Sequence, residues 1–374
     1  MTVTKKIAAT ASFDLDDLRR AVAMLCRVVD RRNTIPVLSN IAIAVHGAEA
    51  TLTATDLHTY LSVGLVVSDA GKFSTTVNAA ALSRVLAAAT GERVTIGYDG
   101  DRCTIAGDGF TASLMTIHHD DFPAFQMSGT PVTASIDPAR FAADMAFLSP
   151  AMSTEEVRYY LNGIALDSAR GNMVATDGHR LHIINACPID APAGCVIIPR
   201  RTVALIKELL RANAGANVAA LSLTTSKAVV AVGNWTLKTK LIDGTFPDYT
   251  RINTAENDKG FTVEARALRS AVRLATATQA ESTKGVRFDF KDGAVEASGR
   301  SPENGTASAM VRGAFNIVPM SEYVRFNRHY LTQIIDVFGG NSTLRVDLRD
   351  SIGPARFTAD GITDRAAILM PMRV

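Results

Sequence analysis

No C-x-x-C pair, no G-x-x-x-x-G-K-[ST] loop and no apolar run of eighteen residues occurs in these 374 residues. The first absence matters because the four cysteines, Cys26, Cys103, Cys187 and Cys195, then form neither a zinc knuckle nor a disulfide framework; they are expected to be reduced core thiols. The second excludes nucleotide hydrolysis by a phosphate-cradling loop. The third excludes a spanning helix, and the seven weakly apolar residues from Ile7 to Phe13 are too few for an export signal, so a cytoplasmic protein without membrane partners is expected. Aromatic residues are scarce: Trp235 is the one tryptophan, no aromatic ladder for single strands is visible, and helix-turn-helix and finger spacings are missing. An excess of charge of either sign is lacking too, with 39 basic and 37 acidic side chains. What remains is a globular chain, 47% hydrophobic and 20% charged with mean hydropathy +0.12, long enough for two or three domains.

Internal repetition organises the chain. Ala54-Thr55-Asp56 recurs 121 positions later as Ala175-Thr176-Asp177, and weakly another 122 on as Ala297-Ser298-Gly299. Ahead of each lies a segment with strand chemistry, namely Val37 to Ile43, Tyr160 to Leu166 and Gly285 to Phe290. Further upstream, apolar residues at helical spacing (Leu18, Val22, Leu25; Phe141, Met145, Leu148; Leu268, Val272, Ala275) predict a helix, with Asp14, Asp137 and Glu264 placed to cap it. A second helix follows each triplet, over 78–89, 199–212 and 327–340, with Pro199 in an opening turn. Alternating segments such as 94–105, 218–232 and 344–357 then read as strands. The expected fold class is therefore α+β: three similar domains, each two helices packed on antiparallel sheets, spanning 1–127, 132–253 and 260–374.

Charge is segregated within that plan. Over six helical windows (18–32, 78–89, 139–152, 199–212, 266–278 and 325–338) sixteen basic side chains face four acidic ones, a net +12 that leaves −10 elsewhere. Extending two windows back to Asp14 and Glu264 lowers the helical sum to +8. Basic helices on a chain of near-zero total charge favour a polyanion gripped through its phosphates without base reading, and DNA is the obvious one. Each arginine taken singly is equally well the solvated side of an amphipathic helix.

Several separated motifs then coincide. Val157-Arg158-Tyr159-Tyr160-Leu161-Asn162-Gly163, Thr176-Asp177-Gly178-His179-Arg180-Leu181, Leu241-Ile242-Asp243-Gly244-Thr245-Phe246-Pro247-Asp248-Tyr249 and Met370-Pro371-Met372-Arg373, together with Ile35 to Asn40, closely resemble the bacterial DNA polymerase III beta subunit family of sliding clamps over the whole length. The resemblance implies a homodimeric ring of six domains, helices lining a hole that holds duplex DNA, and no catalytic residue, metal or cofactor. It implies a pocket for a short hydrophobic peptide formed by Leu161, Thr176, Gly178, His179, Arg180, Leu181, Pro247, Arg251, Ile252, Ile352, Pro354, Ile368, Met370, Pro371, Met372 and Arg373. Apolar walls with adaptable methionines and a few polar groups at the rim suit such a ligand. Arg32 and Tyr160 match DNA-contacting positions; Arg31 and Arg158 are added on charge, and Arg200 and Arg201 as the basic start of a helix. Implied partners are duplex DNA, a second copy of the chain, the catalytic subunit of DNA polymerase III, an ATP-driven clamp loader, and other polymerases and repair proteins carrying the motif. Thr250, Pro354, Val374 and the stretch Ser301 to Gly305 depart from the family pattern, so a divergent paralogue acting as a peptide-binding adaptor without a closed ring is the alternative.

Other readings compete residue by residue. Asp177 and His179 with Ser153 or Ser168 would make a hydrolase, but no G-x-S-x-G is present. His118-His119-Asp120-Asp121 suggests a metal, or an exposed loop before Phe122-Pro123. Met370 and Met372 are core or pocket, the adjacent Pro371 putting their strand at an edge. Of Tyr159 and Tyr160, taken as strand neighbours, one faces inward and one outward, and the resemblance implies that Tyr160 is the outer one.

Overall fold

The computed structural model describes residues 9–30, 34–252, 260–280, 282–291, 294–316 and 323–372. Among them are six α-helices: α1 (Leu15–Leu25), α2 (Ala79–Ala88), α3 (Pro138–Leu148), α4 (Arg200–Ala212), α5 (Ala265–Ala275) and α6 (Arg328–Phe338). None is long and apolar enough to cross a membrane. Every strand pairing between them is antiparallel, as α+β architecture requires here.

Four of the six helices, α1, α2, α3 and α6, start where a strand ends and an Asx side chain takes over the free amides. Asp14 Oδ1 accepts from Asp17 N (2.9 Å), Asn78 Oδ1 from Ala81 N (3.0 Å), Asp137 Oδ1 from Ala139 N (2.8 Å) and Arg140 N (3.1 Å), and Asn327 Oδ1 from His329 N (3.0 Å). Glu264 makes no such bond, contrary to expectation; the Ala265 amide is taken instead by Ser342 O at 2.9 Å. Three further boundaries differ. Pro36–Ser39 and Tyr159–Leu161 are 3₁₀ turns, with strands beginning at Asn40 and Gly163, and Pro199 closes the strand Cys195–Pro199 rather than opening α4. The first helix lies earlier than expected, leaving Arg27 beyond its end; Arg31 and Arg32 fall outside the described residues.

Two compact units are present, 9–140 with Ala204–Leu241, and Phe141–Val203 with Ile242 onward, two of the three dividing points falling inside α3 and α4 and the third after the strand Trp235–Lys240. In the first unit a twelve-stranded sheet runs from Ala9–Asp14 to Val132–Ile136. Its joint is Thr59–Val66 against Trp235–Lys240, with Val63 opposite Trp235 and Thr59 opposite Thr239. α1 and α2 pack on one another over Leu18, Leu25, Leu82 and Leu86, all 0–1% exposed, each contributing about 2 kcal/mol of burial. Arg19, nominally a solvated arginine, is spent here: its Nε donates to Leu86 O at 2.8 Å.

In the second unit a nine-stranded sheet runs from Cys195–Pro199 to Ala314–Asn316, jointed where Arg180–Ile184 pairs with Ile362–Leu369. A separate four-stranded sheet is ordered Gly305–Arg312, Ala294–Ser301, Gly285–Lys291, Val324–Asn327. α5 and α6 pack together, pinned by Arg269 Nε to Asp336 Oδ1 at 2.6 Å. The third triplet is misplaced by the sequence reading. Ala297, Ser298 and Gly299 lie in mid-strand, and the turn that corresponds to the other two is Ser301 to Gly305.

Within the observed helix bounds the basic excess is twelve against five, a net +7 rather than +12, and α4 and α5 carry +3 each. The four cysteines are free, though Cys103 alone is fully buried.

Candidate functional site

The Ala-Thr-Asp triplet earns its recurrence through a turn. After Thr176 the chain reverses in three residues, and Asp177 Oδ1 accepts from both His179 N (2.9 Å) and Arg180 N (3.0 Å). Thr176 Oγ1 accepts from Gly178 N (3.1 Å) and donates to Arg180 O (2.7 Å). Gly178 supplies φ +87°, which an L side chain resists. The first repeat builds the same turn: Asp56 Oδ1 accepts from His58 N and Thr59 N (3.0 and 2.6 Å), with Leu57 forced to φ +73°.

In the second repeat this turn abuts the C-terminal strand. Leu181 stands opposite Ile368 and Arg180 opposite Leu369, and Met370 N donates to His179 O at 2.9 Å. Ala355 also faces Leu369, which brings Pro354 beside Met370. Underneath lies an apolar cluster of Val174, Leu181, Ile183, Tyr249, Ala366 and Ile368, with Phe246 packed against it. Tyr249 donates to Asp167 Oδ2 (2.8 Å) and accepts from Asn172 Nδ2 (3.0 Å); burial pushes its phenol well above the ordinary value, so it stays a donor. Ile252 N bonds back to Tyr249 O at 3.0 Å, hanging the turn with Arg251 and Ile252 from that tyrosine.

The expected pocket residues therefore sort into floor and mouth. Leu161, Thr176, Leu181 and Ile368 are buried, whereas Gly178, His179, Pro247, Arg251, Ile252, Ile352 and Met370 are exposed and Pro354, Pro371 and Met372 half-buried. Arg373 lies outside the described residues. An arrangement of exposed apolar side chains over a rigid apolar floor can take an extended apolar segment.

Arg180 corrects the expectation of a polar rim. It is 7% exposed and points inward. Its Nε donates to Asp177 Oδ2 (3.1 Å), its Nη1 to Gln333 Oε1 and its Nη2 to Pro150 O, and its Cζ lies 4.4 Å over the Tyr330 ring. Burial pulls the guanidinium below its ordinary value while Asp177 holds it up. His179 remains outside and stacks on the other participant, Tyr330, at 6.0 Å and 23°. Tyr330 and Gln333 of α6 were invisible to sequence reasoning: they stand about 150 residues from the turn, and neither residue type nor spacing marks them.

The basic candidates converge on a neighbouring stretch. Arg200 N donates to Asn162 O at 2.8 Å, stitching the start of α4, with exposed Arg200 and Arg201, to the turn that carries Tyr160. Tyr159 is 52% exposed and Tyr160 half-buried, their rings 5.8 Å apart and T-shaped; they share a 3₁₀ turn, so strand alternation does not govern them. Arg158 is exposed, paired with Glu155 at 3.3 Å, and its guanidinium lies against Gly178.

The competing chemistry finds little geometry. No hydrogen bond among the described residues joins His179 to Ser153 or Ser168; Ser153 Oγ accepts from Glu155 N and Ser168 Oγ from Ala191 N. His118 Nδ1 lies 3.5 Å from Asp120 Oδ2 in an exposed 3₁₀ turn, and no group of three His, Cys, Asp or Glu side chains among the described residues is placed to hold a metal.

Comparison with known proteins gives the family. Profile models of the DNA polymerase III beta subunit match residues 12–126 (N-terminal domain), 135–248 (central domain) and 250–373 (C-terminal domain). The beta sliding clamp of Pseudomonas aeruginosa is 30% identical over 366 residues, covering 96% of this chain and 98% of that one; the clamp of Caulobacter vibrioides is 30% identical over 373 residues with the same coverage. Among solved structures, the sliding clamp of Caulobacter crescentus superposes with TM-score 0.92 at 26% identity over 98% of this chain and 99% of that one. The DNA polymerase III subunit beta of Bartonella birtlesii bound to griselimycin superposes with TM-score 0.91 at 26% identity over 98% and 100%. On fold, motifs and full-length similarity, the chain belongs to the DNA polymerase III beta subunit family, the bacterial DNA sliding clamps.

Proposed function

We propose that this sliding clamp closes into a ring as a homodimer through a third sheet joint, equivalent to the two it makes within itself. The observation that carries this is one of counting edges. Trp235–Lys240 pairs with Thr59–Val66, and Ile362–Leu369 pairs with Arg180–Ile184. The counterpart of Trp235–Lys240 and Ile362–Leu369 in the first repeat is Phe110–Ile117, which pairs with Arg102–Gly107 but meets its other neighbour only at Thr116 and Ile117. The counterpart of Thr59–Val66 and Arg180–Ile184 in the third repeat is Gly305–Arg312, an edge strand of the four-stranded sheet. Among the counterparts of the strands that form the two internal joints, this flank and this edge are the pair left without each other within the described residues, and they satisfy each other twice across a two-fold axis, since open edges left unpaired invite association.

The edges match chemically as well. Thr111-Ala112-Ser113-Leu114-Met115 and Thr306-Ala307-Ser308-Ala309-Met310 repeat the same T-A-S-x-M pattern, and Met115 and Met310 are 67% and 52% exposed. A ring so closed holds duplex DNA by topology, and Arg158, Tyr160, Arg200 and Arg201, with Arg31 and Arg32, need give only weak, sequence-blind phosphate contact. The apolar pocket around Met370 receives a hydrophobic segment of the polymerase catalytic subunit and of other clamp-binding proteins. The three repeats, bounded near 1–127, 132–253 and 260–374, then make six domains per ring, which an ATP-driven loader opens. The chain itself is a non-catalytic processivity factor working at the nucleoid.

Light scattering tests the closure. The chain is expected at twice its 39.8 kDa mass, and Met115→Glu and Met310→Glu are each expected to give a folded monomer. A wild-type monomer would overturn ring closure in favour of an open adaptor.

A further inference from the structure

The four-stranded sheet of the second unit has two unlike faces. Val286, Phe288, Val295, Val324 and Phe326 point into the core, and α5 presses on that side so closely that a Cβ at Gly299 would sit 2.2 Å from Ala275 O. By strand alternation the residues between them point the other way. There they line a trough of about 780 Å³ carrying four cations, Lys284, Arg287, Arg300 and Arg325, against two acids, Asp289 and Glu296.

Its electrostatics are unbalanced. Arg287 is closed onto Asp289 (2.7 and 2.5 Å) and lies flat on Tyr323 at 3.8 Å, so that acid is already neutralised. Lys284, Arg300 and Arg325 have no ion pair among the described residues, and Lys284 and Arg300 are exposed. Hydroxyls of Ser298, Thr306 and Ser308 add donors along the same face. The cations sit on or beside the other three strands, so pairing of the Gly305–Arg312 edge leaves them accessible.

The trough shares Met372 with the expected peptide pocket: Met372 is among its lining residues, and Met372 N donates to Arg325 O at 2.7 Å. We infer that the trough takes an acidic flank of the same partner segment whose apolar residues fill the pocket beside Met370 and Met372, a proposal that rests on the peptide-pocket reading above. Charge complementarity and the shared Met372 favour an acidic peptide over nucleic acid, because the trough lies on the sheet face opposite α5, whose own arginines belong to the basic helical set.

Fluorescence anisotropy on the full chain tests it with two labelled peptides sharing one Leu- and Phe-bearing core, one tailed with three glutamates and the other with three glutamines, the tails placed at either end in turn. The glutamate-tailed peptide is expected to bind about tenfold tighter at low salt for one tail placement, from two or three exposed ion pairs. The double variant Lys284→Ser/Arg300→Ser is expected to abolish that advantage, as is high salt, while leaving the glutamine-tailed affinity unchanged. Equal binding of both tails to the wild type would overturn the trough proposal and leave the pocket standing; failure of both peptides to bind would overturn the pocket reading and the trough with it. An advantage that survives the double variant would also overturn it. A short single-stranded oligonucleotide that binds the wild type but not the double variant, with no tail advantage, would assign the trough to nucleic acid instead.

Discussion

Tyr249 donates its hydroxyl hydrogen to Asp167 Oδ2 at 2.8 Å, joining the Phe246-Pro247-Asp248-Tyr249 segment to a strand 82 residues earlier. Asp167 is 2% exposed and also accepts from Arg170 Nη1 at 3.0 Å and Arg170 N at 3.2 Å, so the tyrosine bond is one of three that keep a buried carboxylate satisfied. The pocket mouth at Arg251 and Ile252 hangs from this anchor.

Tyr249→Phe keeps the ring in its apolar cluster and removes only the two hydroxyl bonds, to Asp167 and from Asn172. The expected loss is about 1–2 kcal/mol in urea unfolding, since Arg170 still neutralises Asp167. Tyr249→Ala removes the ring as well and is expected to cost about 3–5 kcal/mol.

Arg180 gives a sharper test, because its removal strands Asp177, whose side chain is 12% exposed. Arg180→Met is expected to destabilise by about 3–5 kcal/mol in thermal unfolding and to speed hydrogen exchange at Gly178 and His179. Arg180→Lys restores the charge without the fork and is expected to recover part of it. A wild-type melting temperature for Arg180→Met would contradict the inward role assigned to this side chain.

The sequence carries the repeats, the helix caps and the turn at Asp177, because each is a local arrangement written in adjacent residues. Asp14, Asp137 and Asn78 signal their helices within four positions. Tyr159–Leu161 misleads for the same reason: its residues have strand chemistry, yet Leu161 N and Asn162 N bond back to Arg158 O and Tyr159 O in a 3₁₀ turn, next to which Asn162 O accepts from Arg200 N. Leu181 and Ile368, named through motif resemblance, lie together in one apolar cluster. Arg180's inward commitment was not legible, since Tyr330, Gln333 and Pro150 reach it only through tertiary packing. The weak third triplet failed because Ala297 to Gly299 resembles the turn in composition while the ladder carries the strand straight through it.

His182 makes stability depend on pH. The ring is fully buried, its Nδ1 lies 2.6 Å from Phe147 O, Nε2 has no partner among the described residues, and burial lowers its pKa to about 4 from an ordinary 6.5. The folded state thus binds the proton less tightly than the unfolded one, so this contribution is complete above 6.5 and is lost as pH falls toward 4. Urea midpoints of the wild type are expected to drop across that window, and His182→Ala, though less stable at pH 7, is expected to show a shallower slope. Equal slopes would remove His182 from the account.

The edges proposed to close the ring are almost uncharged. Phe110–Ile117 carries no ionisable side chain and Gly305–Arg312 only its terminal arginine. Dimer mass is expected to be unchanged when ionic strength rises from about 0.05 M to about 1 M, where exposed ion pairs are screened. Dissociation in salt would point to a charged interface elsewhere.

Retention on DNA tests the central claim most directly. Loaded on a nicked circle and washed in salt that strips ordinary phosphate binders, the clamp is expected to stay, and to leave once the circle is linearised, because its hold is topological. Loss from the intact circle at the same rate as from the linear form would contradict a closed ring.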